Sequence, residues 1–380
     1  MKRRFKGMNR KLYKNYPQLD TSSRKSVCPL CGKKTLVNYL YPDGTPIADG
    51  VCGRCDRQDK CRYEYKPREY FKDNEHLNSR SYTRFRPQPQ RPKNTVSSYI
   101  STDVWKKSMR GYEQTPLVRF LHSIFDAYAG VEIPNIVDLT VKRYGVGTSA
   151  KYGGSTVFWQ IDQYWNIRSG QILGYNATTG KRNHKQQNWV HFVMSDQYPD
   201  FNLEQCFFGS HLIKRADEEM ALKNVERMEM NIDGDVEPII WLMESPKAAI
   251  ILSMALTWVG EKNLFIPRAT CGCQGFNLTL DKRLNRFDKH QILKNRKVVL
   301  FPDNGKFEEW KSKGEMLKGF CKEVYISTVC ELTLHPHKIA YQIQDGDGFD
   351  DIILHYVKND MPIWDLICEC YGYHGEWKIV

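Results

Sequence analysis

The feature that most narrows what this chain can fold into is a pair of cysteine doublets: Cys28-x2-Cys31, twenty intervening residues, then Cys52-x2-Cys55. Doublets at this separation suit a tetrahedral zinc site, because each pair forms a tight knuckle and the two knuckles meet across a short hairpin. The intervening GKKTLVNYLYPDGTPIADGV carries strand residues on either side of a Pro42-Asp43-Gly44 turn, as a zinc ribbon requires. The expected ligands are therefore Cys28, Cys31, Cys52 and Cys55. Four thiolates leave no open coordination position, so the Zn2+ is structural. Cys61 stays outside a shell that is already full.

Around the doublets the chain is basic. The formal charge is +12, from 56 Lys and Arg against 44 Asp and Glu. Residues 1–36 and 54–93 carry much of the excess, and such a balance favours a polyanionic partner, most often nucleic acid. Arg54, Arg57 and Arg62, interleaved with Tyr63, Tyr65, Tyr70 and Phe71, suit phosphate clamping and base stacking. No apolar run approaches the roughly 20 residues that span a bilayer, and the N-terminus lacks the apolar core of a secretory signal. A cytoplasmic location and no membrane partner are expected. No GxxxxGK[ST] segment occurs, so no ATP-driven helicase motor is expected in the chain.

Composition divides the chain into a 1–73 zinc-ribbon nucleic-acid-binding module, a flexible basic linker over 74–96 and a folded core from 97 onward. The linker NEHLNSRSYTRFRPQPQRPKNTV has almost no aliphatic side chains to repay the entropy of ordering. In the core, Pro116–Ala129 reads as a helix, with Leu117, Phe120, Leu121 and Ile124 on one face. Thr156–Ile161 and Gln171–Tyr175 read as strands of a hairpin or meander. From 237 on the pattern alternates: strand Pro238–Met243, helix Pro246–Trp258, strand Leu264–Arg268, strand Lys297–Phe301, helix Lys306–Phe320, strand Glu323–Ser327. Alternating β and α elements imply an α/β fold with a parallel sheet flanked by helices.

Three acidic features fall into that frame. Glu244 follows the first strand directly in IIWLMESPKAAIILSMAL, and Asp303 follows a later strand in KVVLFPDNGKFEEW. QDGDGFDDIIL adds Asp345, Asp347, Asp350 and Asp351 in a Gly-containing turn before a last helix. Ligands of parallel α/β sheets collect at the carboxyl ends of the strands, so Glu244 and Asp303 should converge on one crevice. Carboxylates gathered there repel one another without a cation, and oxygen ligands of this kind suit Mg2+ or Mn2+.

MESPKAA, FPDNG and DGFDD together resemble the toprim domain shared by bacterial-type primases, topoisomerases and some nucleases. The resemblance implies that Glu244 is a general acid/base, that Asp303 is the first metal-binding aspartate, and that Lys247 occupies a position where phage- and plasmid-type primases often carry lysine. Glu244, Asp303, Asp345, Asp347 and Asp350 form the implied Mg2+ set, with Glu244, Asp303 and Lys247 catalytic. The pattern departs at Gly305, where many members have a second aspartate. VKRYGVGTS, GSTVFWQID and SGQILGYNATTGKRNH resemble the basic α+β N-terminal subdomain of the primase core, implied over 97–236, with the toprim catalytic domain and C-terminal helices over 237–380. There Lys181, Arg182 and Lys185, with His184, are candidates for phosphate contacts; a charged hairpin tip is the plain alternative. CGRCDRQDKCRYEYKPREYF and FNLEQCFFGSHLI look like segments of toprim proteins on mobile genetic elements.

The implied function is a DNA primase-like nucleotidyltransferase making short RNA primers on single-stranded DNA from nucleotide triphosphates, with a separate replicative helicase as a further partner. The rivals are a toprim nuclease and a non-catalytic nucleic-acid-binding protein with a degenerate toprim core.

Overall fold

In a computed structural model of the full chain, the described residues are 17–22, 24–41, 43–74, 96–129, 133–234, 236–260, 265–269, 289–331, 342–370 and 377–379. They form two compact units, which divide at Lys93 and Asn94. The linker expected over 74–96 falls almost wholly outside the described residues, as do Cys271, Cys273, His335 and His337.

The first unit is a small antiparallel sheet. Strands β1 (Gln18–Leu19), β2 (Ser26–Val27), β3 (Lys34–Leu40), β4 (Gly53–Cys55) and β5 (Glu64–Tyr65) pair in the order β1-β3-β4-β5, with β2 against β3. Helix α1 (Gln58–Cys61) bridges β4 and β5, and α2 (Pro67–Asp73) closes the unit with proline in its first turn, where a missing N–H costs nothing. The β3–β4 contact is close: a Cβ on Gly53 would lie 2.5 Å from the Val37 carbonyl oxygen, so only glycine fits there. The apolar interior is little more than Cys28, Leu36, Cys55 and Cys61. A core that small cannot offset chain entropy by burial alone.

The second unit opens with α3 (Thr102–Ser108), α4 (Pro116–Ala129) and α5 (Ile136–Arg143). The antiparallel sheet β6 (Gly147–Ser149), β7 (Ser155–Ile161), β8 (Ile167–Tyr175) and β9 (Arg182–Trp189) follows in that order. α6 (Val190–Val193) and α7 (Ile213–Glu229) lead to the second sheet. That sheet runs β11 (Phe265–Ala269), β10 (Ile239–Met243), β12 (Lys297–Phe301), β13 (Glu323–Ser327) and β14 (Trp377–Ile379). Its first four strands are parallel and β14 is antiparallel. Helices α8 (Pro246–Trp258), α9 (Phe307–Glu315), α10 (Phe349–Lys358) and α11 (Ile363–Cys370) complete the unit.

The helix read over Pro116–Ala129 forms as expected and buries Leu117, Phe120 and Leu121. α8 is buried on nearly every side, which explains its uninterrupted apolar run. α9 ends at Glu315 rather than Phe320, because the chain leaves it through turns that reach a left-handed Gly319 at φ +76°. β9 was not foreseen as a strand. Its RNHKQQN run has no apolar alternation, since it is an edge strand held by backbone pairing with most side chains exposed. One hydrophobic cluster runs from Leu117 to Ile367, so the antiparallel and parallel sheets of this unit share a core. Among the described residues no helix is long and apolar enough to cross a membrane.

Candidate functional site

Four thiols converge in the first unit, and they are not the four read from spacing. Cys28, Cys31, Cys55 and Cys61 bring their sulfur atoms within 4.8 Å of one another. The Sγ atoms of Cys28 and Cys61 are 3.6 Å apart, close to the ~3.8 Å edge of a tetrahedron with metal–sulfur bonds of about 2.3 Å. Cys52 is excluded; its thiol faces away and donates to the Tyr65 carbonyl at 3.2 Å. The reason is strand parity. Residues 53–55 are extended, and in extended chain residues three apart point to opposite faces. A CxxC pair shares a metal only when its middle residues turn, as Pro29 and Leu30 do in a turn closed by the Gly32 N–H donating to the Cys28 carbonyl at 2.9 Å. After Cys55 the chain turns through α1, which returns Cys61 to the cluster, and then leaves with Arg62 left-handed at φ +58°. Burial pushes the Cys61 thiol up to about 12, so its thiolate needs a cation beside it. A Lys33 backbone N–H bonded to Cys31 draws that thiol down to about 6. Four sulfur atoms this close, three of them on buried residues, fit zinc.

The second site lies at the carboxyl end of the parallel sheet. β10 leads through α8 to β11 on one side, while β12 and β13 continue on the other, so the crevice between β10 and β12 is a topological switch point. Met243 is paired with Phe301, and therefore Glu244 and Asp303 leave the ends of neighbouring strands within one residue of the same level. Ser245 caps α8 by accepting from the Lys247 N–H at 3.2 Å. The first turn of α8 thereby carries Lys247 to the same crevice. Phe349 at the start of α10 stacks on Phe301, with ring centroids 5.4 Å apart, and that contact brings Asp350 and Asp351 in from the far end of the chain. Gly348 marks how tightly these groups meet. A Cβ there would lie 2.8 Å from Asp350 Oδ1 and 2.9 Å from Asp303 Oδ1.

The resulting cavity, of about 190 Å³, is lined on one wall by Glu244, Lys247, Asp303, Asp350 and Asp351 and on the other by Gln171, Tyr175 and Arg182. Lys247 Nζ is 2.8 Å from Asp350 Oδ2 and 3.7 Å from Asp351 Oδ1. Burial works against the ammonium, but the two carboxylates outweigh it and hold its pKa above that of an ordinary lysine. Burial, and then the charges of Glu244, Asp350 and Asp351, push Asp303 up to about 8. Asp351 rises to about 6 for the same first reason, although the Gly348 N–H and Lys247 oppose the shift. The acidic wall thus carries more negative charge than one lysine satisfies.

The expected Mg2+ set divides here. Glu244, Asp303 and Asp350 line the cavity; Asp345 and Asp347 do not. Asp347 closes its own turn by accepting from the Gln344 N–H at 2.7 Å. Asn304 is no ligand in this arrangement. It is buried, its amide donates to the Gln344 carbonyl at 3.0 Å, and its N–H donates to the Asp347 carbonyl, so it clamps the two loops together. Among the described residues the cysteine cluster is the one group whose donor atoms are already gathered to share an ion, and the carboxylates stand further apart.

Of the basic candidates, Arg182 reaches the cavity because it pairs across from Tyr175 at the turn end of the β8–β9 hairpin. Lys181 and Lys185 are exposed beside it, and Arg54 and Arg62 are exposed on the first unit with Arg57 half-buried. Sequence reasoning missed Gln171 and Tyr175 as lining residues. The signal was present: with Leu173 they occupy alternate positions of β8 and so face one way.

Two family models match the chain: a zinc beta-ribbon finger over residues 15–76, and a domain of unknown function (DUF6371) over residues 115–232. The second match runs from the start of α4 to just past α7 and contains the β6–β9 sheet. No curated protein matches the chain. Among solved structures, the zinc-binding and RNA polymerase domains of the Aquifex aeolicus primase align at 13% identity over 93% of this chain and 81% of that one. The TM-score is 0.32, which does not establish a common fold.

Proposed function

We propose that the second unit is a primase-like nucleotidyltransferase that makes short RNA primers on single-stranded DNA. The observation that carries this reading is the bipolar crevice, with an acidic wall at the carboxyl ends of β10 and β12 and Arg182 on the facing sheet. Glu244, Asp303 and Asp350 would hold Mg2+ or Mn2+. The bound ion supplies neutralisation of triphosphate charge and a lowered pKa for an attacking hydroxyl. Glu244, directly after its strand, is the general base for the primer 3′-hydroxyl. Asp303, whose raised pKa keeps much of it protonated near neutrality, would release that proton on taking up its ligand role. Lys247 holds Asp350 and Asp351 in place when no other cation is present. Arg182 meets phosphate across the cavity, and the zinc unit contributes template contacts through Arg54, Arg57 and Arg62. A separate replicative helicase belongs to the same proposal.

A second reading, a non-catalytic nucleic-acid-binding core, is favoured by one observation: Gly305 stands where a second acidic ligand is usual in toprim domains, and the neighbouring Asn304 is spent on clamping its loop. Incubation with single-stranded DNA, labelled ribonucleotides and Mg2+ separates the readings. Primer synthesis that falls at least ~10²-fold in Glu244→Gln supports the first. Template cutting points to a nuclease, and DNA binding with neither activity leaves the second reading.

A further inference from the structure

At the opposite end of β8 from the crevice, the β7–β8 turn presents Tyr164 and Trp165 to solvent, 69% and 54% exposed. Trp165 is held at φ +66°, a left-handed conformation that bulky side chains rarely adopt. The surroundings over-determine it. Fully buried Asp162 accepts from the N–H groups of Tyr164 and Asn166 at 2.9 Å and from the Asn166 amide at 3.1 Å. Arg168, itself buried, donates to Asp162 at 2.8 Å and reaches Glu204 at 3.3 Å. A buried ion network is a costly way to shape a surface turn unless the turn's display matters.

Beside Trp165 stands Trp105 of α3, with ring centroids 6.2 Å apart and its indole N–H fixed on the Gly145 carbonyl at 3.1 Å. Two residues further along α3, Lys107 lines a cleft of about 450 Å³ together with Arg110, Gly111, Gln114 and Thr148. The charged groups of that lining are both cations, and neither Lys107 nor Arg110 is paired with a carboxylate among the described residues. α3 therefore carries both the half-buried Trp105, against which the exposed Trp165 sits, and a residue of a cationic cleft.

We propose that Trp165 and Trp105 form a base-stacking platform for single-stranded nucleic acid whose phosphates are taken by Lys107 and Arg110. The exposed Trp165 ring, backed by half-buried Trp105, accepts bases of any sequence, and the cations of the cleft supply the backbone term. The platform extends the nucleic-acid side of the proposed function but needs no chemistry in the crevice. It stands or falls in a binding measurement alone.

The test is fluorescence anisotropy of a labelled oligo-dT with the full chain, without nucleotides or added Mg2+, at several salt concentrations. Trp165→Ala should weaken binding about tenfold, while Trp165→Phe stays near the parent. Lys107→Ala with Arg110→Ala should flatten the salt dependence of log K by up to about 1.4, for two single-strand phosphate contacts. Unchanged affinity in Trp165→Ala would overturn the proposal and turn the platform over to a protein partner. Equal weakening by Trp165→Ala and Trp165→Phe, or equal losses for duplex and single strand, would also overturn it, since stacking predicts neither. Primer synthesis is read separately, so failure of either proposal is recognised by itself.

Discussion

The two units gather negative charge in opposite ways. In the ribbon, four sulfur atoms crowd together with Thr35 and backbone groups as neighbours, and among the described residues no ion pair is made to them. In the crevice, the carboxylates are spread along two strand ends and a helix, and Lys247 already sits against Asp350 and Asp351. The first arrangement makes a metal part of folding, because so small a core has little else to hold it. The second lets the unit fold around its own ammonium and keeps an external cation for function. The contrast predicts that losing the cation unfolds one unit and merely relaxes the other.

The largest effect should come from breaking the thiol cluster. Cys61→Ser should release zinc and unfold residues 17–74 while the second unit keeps its own transition, because structural zinc contributes on the order of 10 kcal/mol. Cys52→Ser should retain full zinc content, since the Cys52 side chain only donates to the Tyr65 carbonyl, which a serine hydroxyl can also do. Zinc analysis together with limited proteolysis reads both, and the reverse result would restore the ligand set expected from spacing.

Next in size is Lys247→Met. It strands a buried Asp350 carboxylate, and breaking a buried pair costs about 3–5 kcal/mol. Urea denaturation at pH 8 should show the loss, and Mg2+ should recover part of it. Failure of Mg2+ to recover any would mean the crevice is no cation site.

Asp303→Asn should act in the stabilising direction. The folded pKa of Asp303 is raised to about 8, so its stability contribution is intact below the unfolded value near 4 and is lost as pH rises through 8. Removing the charge should raise Tm by a few degrees at pH 8, with the gain closing towards pH 4. A gain that grew on acidification would contradict the burial and repulsion assigned here.

The smallest effect concerns the turn that returns Cys61. Arg62 lies in left-handed backbone at φ +58°, and Arg62→Gly should relieve roughly 0.5–1 kcal/mol without changing zinc content. Calorimetry of the ribbon transition checks it. A drop in stability would show that the Arg62 side chain itself supports the unit.

The parallel sheet was the most legible part of this molecule. Apolar runs of strand length alternate with helical ones, and Glu244 and Asp303 sit at run ends, a local property that survives folding unchanged. Which cysteine completes the ribbon was not local. Spacing nominates Cys52, but β3 pairing fixes residues 53–55 as strand, and strand parity turns Cys52 away. The polar edge strand β9 left no periodicity to read, so the arrival of Arg182 at the crevice depended on the β8 register. Asp350 and Asp351 were visible as acids in a turn, and only the stacking of Phe349 on Phe301 chose them over Asp345 and Asp347. The sequence by itself determined the kinds of group and the elements that carry them, because propensity and periodicity act over a few residues. Tertiary structure alone decided which groups meet, because pairing register and core packing join segments far apart in the chain.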